Sequence, residues 1–175
     1  MHGIITLLFL LNLNAMVLYN FSEKSDLSEW TIVNDVVMGG RSRSSFVIGE
    51  NGYGLFKGTV SLENNGGFCS VRKNFGKVDV EDFKKLAFRV KGDGKRYQVR
   101  IRASRNDYFS YIAYFDTSGE WQTVEIPMNE MYPSFRGRRL NSPNFAGDSF
   151  DEITFLIGNK KAESFQLLID KIMLK

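Results

Sequence analysis

Apolar and polar side chains alternate one for one through much of this chain. In Leu86-Ala-Phe-Arg-Val90, the residues Leu86, Phe88 and Val90 share one face. In Arg96-Tyr-Gln-Val-Arg-Ile-Arg102, Tyr97, Val99 and Ile101 share one face, and Arg96, Gln98, Arg100 and Arg102 occupy the other. A period of two belongs to a strand with one buried side. The pattern predicts strands at Met16 to Phe21, Trp30 to Val33, Ser45 to Ile48, Tyr53 to Leu62, Phe68 to Lys73, Leu86 to Val90 and Arg96 to Arg102. Asp107 to Asp116, Trp121 to Met128, Ile153 to Ile157 and Phe165 to Leu174 complete the set. Asn64-Asn-Gly-Gly67, Asp93-Gly94 and Ser118-Gly119 supply turn chemistry between them, and Val78 to Phe83 reads as a brief helix-like connection. Short strands separated by closely spaced turns imply two packed antiparallel sheets, so the expected fold is an all-β sandwich of jelly-roll type. Phe88, Val99, Ile101 and Ile169 are expected in its core.

Composition agrees with that architecture, since 15 Phe, 7 Tyr and 2 Trp stand against 3 Pro. The length of 175 residues suits one domain. A net charge of +3 is too small for a phosphate-tracking surface, so no nucleic-acid partner is expected. His2 is the single histidine and Cys69 the single cysteine. A Ser-His-Asp or Cys-His centre and a zinc site are therefore excluded from the folded domain, as is an internal disulfide. Cys69, in an apolar alternation, is expected as a small buried hydrophobe. No Asp or Glu is marked out by its surroundings, so the chain reads as a binding module without enzymatic activity or a cofactor.

The N-terminal segment, residues 1–15, has an apolar stretch from Ile4 to Leu11 and a small-residue ending at Ala15. The stretch is shorter than the ~20 apolar residues of a membrane span. It reads as a cleaved signal peptide, which would leave residues 16–175 as a single β-sandwich domain, exported to the periplasm or outside the cell; an uncleaved chain would instead be cytoplasmic or membrane-peripheral.

Three constellations could carry binding. The first is the loop after Trp30, with Asn34, Asp35, Met38, Gly39, Gly40, Arg41 and Ser42. Its adjacent glycines indicate positive φ or a close backbone approach, and its short polar side chains could hold an anion or a peptide backbone. The same side chains could equally bond within their own turn. The second is Arg136-Gly137-Arg-Arg139, either a contact loop or a solvated basic one. The third is a strand face with Arg89, Arg100 and Arg102, and Tyr111 or Tyr114 beside them. Such a face binds acidic glycans or peptides through bidentate contacts and stacking, or is the wet side of the sandwich.

Asn-Asp-x-Val-Met-Gly-Gly-x-Ser at 34–42, after Trp30, resembles the signature of the complex I intermediate-associated protein 30 family. These are NADH:ubiquinone oxidoreductase assembly factors and their bacterial relatives. Phe135-Arg136-Gly137-Arg138 after Pro133 is similar to a second signature, and Phe165 to Ile172 to the last strand, so the resemblance spans roughly Leu18 to Lys175. It implies a galactose-binding-domain-like sandwich acting as a protein-binding assembly chaperone, its partner a respiratory-complex subunit or intermediate. The fold is shared with carbohydrate-binding modules, so a secreted or periplasmic glycan-binding role is the alternative.

Overall fold

The alternation becomes thirteen strands in the computed structural model, which describes residues 15–175. The expected signal segment lies outside the described residues, Ala15 excepted. In chain order the strands are β1 Met16–Asn20, β2 Trp30–Ile32, β3 Arg43–Ile48, β4 Gly54–Val60, β5 Cys69–Asp79, β6 Lys85–Lys91 and β7 Arg96–Arg102. They continue as β8 Ser110–Asp116, β9 Trp121–Pro127, β10 Tyr132–Phe135, β11 Arg138–Arg139, β12 Ser149–Ile157 and β13 Glu163–Leu174. Among the described residues helix is confined to short 3-10 turns, and none is long and apolar enough to cross a membrane.

Every pairing is antiparallel. One sheet runs β3-β4-β13-β6-β9, with β1 also paired to β13, and the other runs β11-β10-β8-β7-β12-β5-β2. β13 organises the first sheet: its early residues pair with β4, its late residues with β1, and its opposite edge with β6. A bulge between Ile169 and Lys171 resets the pleat, so Phe165, Leu167 and Ile169, then Ile172 and Leu174, all reach the core.

The core lies between the sheets. Leu86, Phe88 and Val90 of β6 meet Tyr97, Val99 and Ile101 of β7 and Ile153, Phe155 and Ile157 of β12. Phe88 stands edge-on to Phe115 at 4.9 Å and to Phe155 at 5.2 Å, the offset geometry that aromatic quadrupoles favour. Phe88, Val99, Ile101 and Ile169 are all fully buried, as the alternation predicts.

Three segments differ from the sequence expectation. Phe68 to Lys73 is the start of a longer strand: β12 continues as its partner, and pairing runs past Gly76, at φ 68°, out to Asp79. Val78 is therefore in strand rather than in a helix-like connection. Tyr132–Phe135 is a strand despite Pro133, which sits opposite Tyr111. Asp107 to Phe109 precedes β8 as a loop, because Asp107 turns the chain by accepting the Ser104 N–H at 3.0 Å.

Candidate functional site

After β2 the chain enters a 3-10 turn, Asp35–Met38, and the Asp35 side chain turns inward to full burial. Its carboxylate accepts the Ser42 N–H at 2.9 Å, the Gly67 N–H at 2.6 Å, the Phe68 N–H at 3.2 Å and the Ser42 hydroxyl. Burial alone would push this carboxyl up, but the bonds from Ser42, Gly67 and Phe68 outweigh it and hold it below the usual carboxylate range. Asp35 thus ties its own loop to the turn before β5. The glycines make this possible. A Cβ on Gly40 would overlap the Asp35 carboxylate, and one on Gly66 would come within 2.6 Å of its Oδ2. Gly39, at φ 88°, closes the turn in the left-handed region. Asn34 is also engaged internally, accepting the Ser44 hydroxyl at 2.8 Å.

The remaining residues of this loop face outward. Val36, Val37 and Met38 are exposed. Arg41 lies at the surface, paired with Glu63 at 2.7 Å.

On the seven-stranded sheet, the face turned from the core carries Ser110, Ile112 and Tyr114 of β8 and Gln98, Arg100 and Arg102 of β7. Glu152, Thr154 and Leu156 of β12 and Ser70 and Arg72 of β5 continue it. The expected wet side is mostly covered: Ser70, Gln98, Ser110, Ser134, Glu152 and Thr154 are all buried. Over this floor lies a groove of about 560 Å³. One wall is Tyr108, Phe109 and the β10–β11 turn Phe135-Arg136-Gly137; the other is Met38, Leu62 and Asn65 to Phe68.

The groove therefore joins pieces of all three sequence constellations: Met38 from the first, Arg136 and Gly137 from the second, Arg100 and Arg102 from the third. Asn34, Asp35, Gly39, Gly40, Arg41 and Ser42 do not line it. Arg89 belongs to the other sheet, where it pairs with Asp170 at 2.9 Å and stacks over Trp121 at 4.4 Å. Of the two tyrosines Tyr114 faces the groove, whereas Tyr111 packs toward the core beside Phe145. Tyr108, Leu62 and Glu152 were not singled out from sequence. The Asn106-Asp107 turn pair is the signal that would have freed Tyr108 from the strand.

The cations of the groove are unequally served. Arg100, Arg102, Arg136 and Lys160 line it; Glu152 stands 3.7 Å from Arg102, whose buried Nε has no hydrogen-bond partner among the described residues, and 3.8 Å from Arg72, which lies outside the lining. Arg100 has no carboxylate within ion-pair distance among the described residues; its Nε and Nη2 both donate to Gln98 Oε1, at 3.0 and 2.6 Å. Burial draws its ionisation down from the usual arginine value. A second hollow, of about 680 Å³ and lined by residues such as Phe83, Met128 and Phe145, contains none of the singled-out residues.

Sheet order and groove define the class: a galactose-binding-domain-like jelly-roll sandwich. A family 11 carbohydrate-binding module from Clostridium thermocellum, solved in complex with a β-1,3-1,4-mixed-linked tetrasaccharide, superimposes with a TM-score of 0.66 at 16% identity, covering 91% of this chain and 94% of that one. An agarase, AgWH50C, matches with a TM-score of 0.61 at 13% identity, over 92% of this chain and 24% of its own.

Within that class the chain belongs to the complex I intermediate-associated protein 30 family, whose model matches residues 19–169. The mouse Complex I intermediate-associated protein 30, mitochondrial, is 29% identical over 181 residues, which cover 90% of this chain and 55% of the mouse protein. The chain thus spans about half the length of that curated relative.

Proposed function

We propose that this chain is a non-enzymatic, protein-binding module that acts as an assembly chaperone for a respiratory complex of the NADH dehydrogenase type, holding a segment of its partner in the groove. One observation carries this reading: a polar, arginine-bearing floor enclosed by exposed apolar side chains. Tyr108 is 67% exposed, Met38 54% and Leu62 45%, and Tyr108 meets Phe135 edge-on at 5.2 Å. Apolar side chains at a rim of this kind mark interaction surfaces. Membership of the assembly-factor family supports the same choice.

The test is capture from the native host. The tagged chain should co-purify respiratory-complex subunits, and Tyr108→Ala with Phe135→Ala should abolish that capture without altering the melting temperature. Capture unaffected by the double variant would remove the groove from the function.

Glycan binding is the second reading, favoured by the tetrasaccharide complex of a structural neighbour. Sugar rings stack on open aromatic faces. Here the floor residue Tyr114 lies under the Arg96 guanidinium at 4.0 Å, which leaves Tyr108 and Phe135 at the rim as the open aromatic faces for such a ring. Calorimetry with the mixed-linked tetrasaccharide separates the two, and saturable binding would favour the glycan.

A further inference from the structure

We infer that the groove takes an extended acidic peptide segment and that Arg100 receives one of its carboxylates end-on; this rests on the protein-binding reading above. The neighbouring arginines show why Arg100 differs. Arg72 and Arg102 flank Glu152, and Arg89 has Asp170. Of the cations that line the groove, Arg100, Arg136 and Lys160 have no carboxylate within ion-pair distance among the described residues, and Arg100 is the one of these three held by a side-chain acceptor, the Gln98 carbonyl.

That contact also orients it. Gln98 Oε1 occupies the Nε–Nη2 side of the guanidinium, which fixes the plane and leaves the Nη1–Nη2 edge unspent. This edge matches the two oxygens of a carboxylate. Ser110 and Ser134, opposite each other across β8 and β10, line the same groove with hydroxyls that can donate to an anion. A half-buried cation without a counter-ion bears an uncompensated desolvation cost, which an arriving carboxylate relieves.

Three features select a polypeptide over an acidic sugar. The walls are apolar at Met38, Leu62, Tyr108 and Phe135, as suits side chains on either side of a charged residue. Tyr114, the tyrosine of the floor, is covered by the Arg96 guanidinium. One wall also contains backbone in left-handed conformations, at Arg136 (φ 47°) and Gly137 (φ 76°). Such turns expose peptide groups that an extended chain can bond.

A library of random short peptides, displayed and selected against the full chain, tests this. The wild-type protein should enrich peptides with one Asp or Glu at a fixed place between apolar residues. Converting that acid to its amide in a synthesised binder should weaken binding about tenfold or more. Arg100→Met should keep the apolar preference and lose the acidic one. Should that variant not fold, Arg100→Lys, with charge but no fork, should bind the acid peptide more weakly than wild type.

Winners with no acidic position, or an amide peptide that binds as well, would overturn the carboxylate contact while leaving peptide binding intact. A different failure removes both: trigalacturonate, and no peptide, shifting the amide resonances of Ser110, Tyr114 and Gly137.

Discussion

Asp35 and Arg100 both carry charge into poorly solvated surroundings, and they differ in what receives it. Asp35 is 0% exposed and takes four hydrogen bonds from Ser42, Gly67 and Phe68, with no cation needed. Arg100 meets one neutral carbonyl and, among the described residues, no acid. A buried ion whose lone pairs are all used fixes the chain around it, and nothing remains for a partner. An ion held in place but left short of partners contributes little to the fold and is available to a ligand. The chain puts the first kind of charge in the loop where its family signature is densest and the second on the sheet face beyond it. A signature loop can therefore be read as the brace of a site without being the site.

The contrast is tested most severely at Asp35. Asp35→Ala leaves three backbone N–H groups and the Ser42 hydroxyl without their acceptor, and should cost on the order of 3–5 kcal/mol in urea unfolding. Gly40→Val should approach the same loss, since its side chain would displace the carboxylate. A cost under about 1 kcal/mol for Asp35→Ala would show that the loop is not braced in this way.

Acid should sharpen the point. Because the folded carboxyl titrates below its ordinary value, the unfolded chain binds the proton first, and stability falls as pH drops. The advantage of wild type over Asp35→Asn should be complete above the ordinary carboxylate range and close as pH falls through the lowered folded value. A gap that does not change with pH would mean that Asp35 is not ionised in the folded protein.

The strands were legible because one face of each is buried: the alternation from Leu86 to Arg102 names both the core residues and the outward arginines. What alternation cannot supply is which strands become neighbours. Arg136 and Gly137 come to the groove of Arg100 because β10, β8, β7 and β12 lie side by side, an order that skips β9 on one flank and jumps to β12 on the other. Asp35 was recognisable as a turn residue, but its acceptors' partners Gly67 and Phe68 lie 32 and 33 positions away, beyond any local pattern. Pro133 hid β10, since a proline within a short run usually argues against a strand. Glu152, which is a counter-ion for Arg102 and not for Arg100, looked like any surface acid until β12 was registered against β7.

On the groove side the expected stability effect is smaller. Arg100→Met removes a charge that burial disfavours and keeps the length of the side chain. It also leaves the buried Gln98 Oε1 without its donors, so the two effects oppose and unfolding should shift by no more than about 1 kcal/mol in either direction. A loss comparable to that of Asp35→Ala would mean that Arg100 serves the fold rather than a ligand.

The smallest effect belongs to Arg41. Its side chain is 66% exposed, and its partner Glu63 is 63% exposed. Such a pair is screened by solvent and salt and is worth at most about 1 kcal/mol, commonly less than half that. Arg41 also lies outside the groove lining, while Met38, three residues earlier, is within it. Arg41→Ala should therefore leave the urea midpoint nearly unchanged and alter partner capture by about twofold or less, with that small change vanishing at high salt. A tenfold loss of capture, with the fold intact, would shift the contact surface from the groove floor to the outer edge of the signature loop. The exposed Val36 and Val37 would then join Arg41 as its next residues to test.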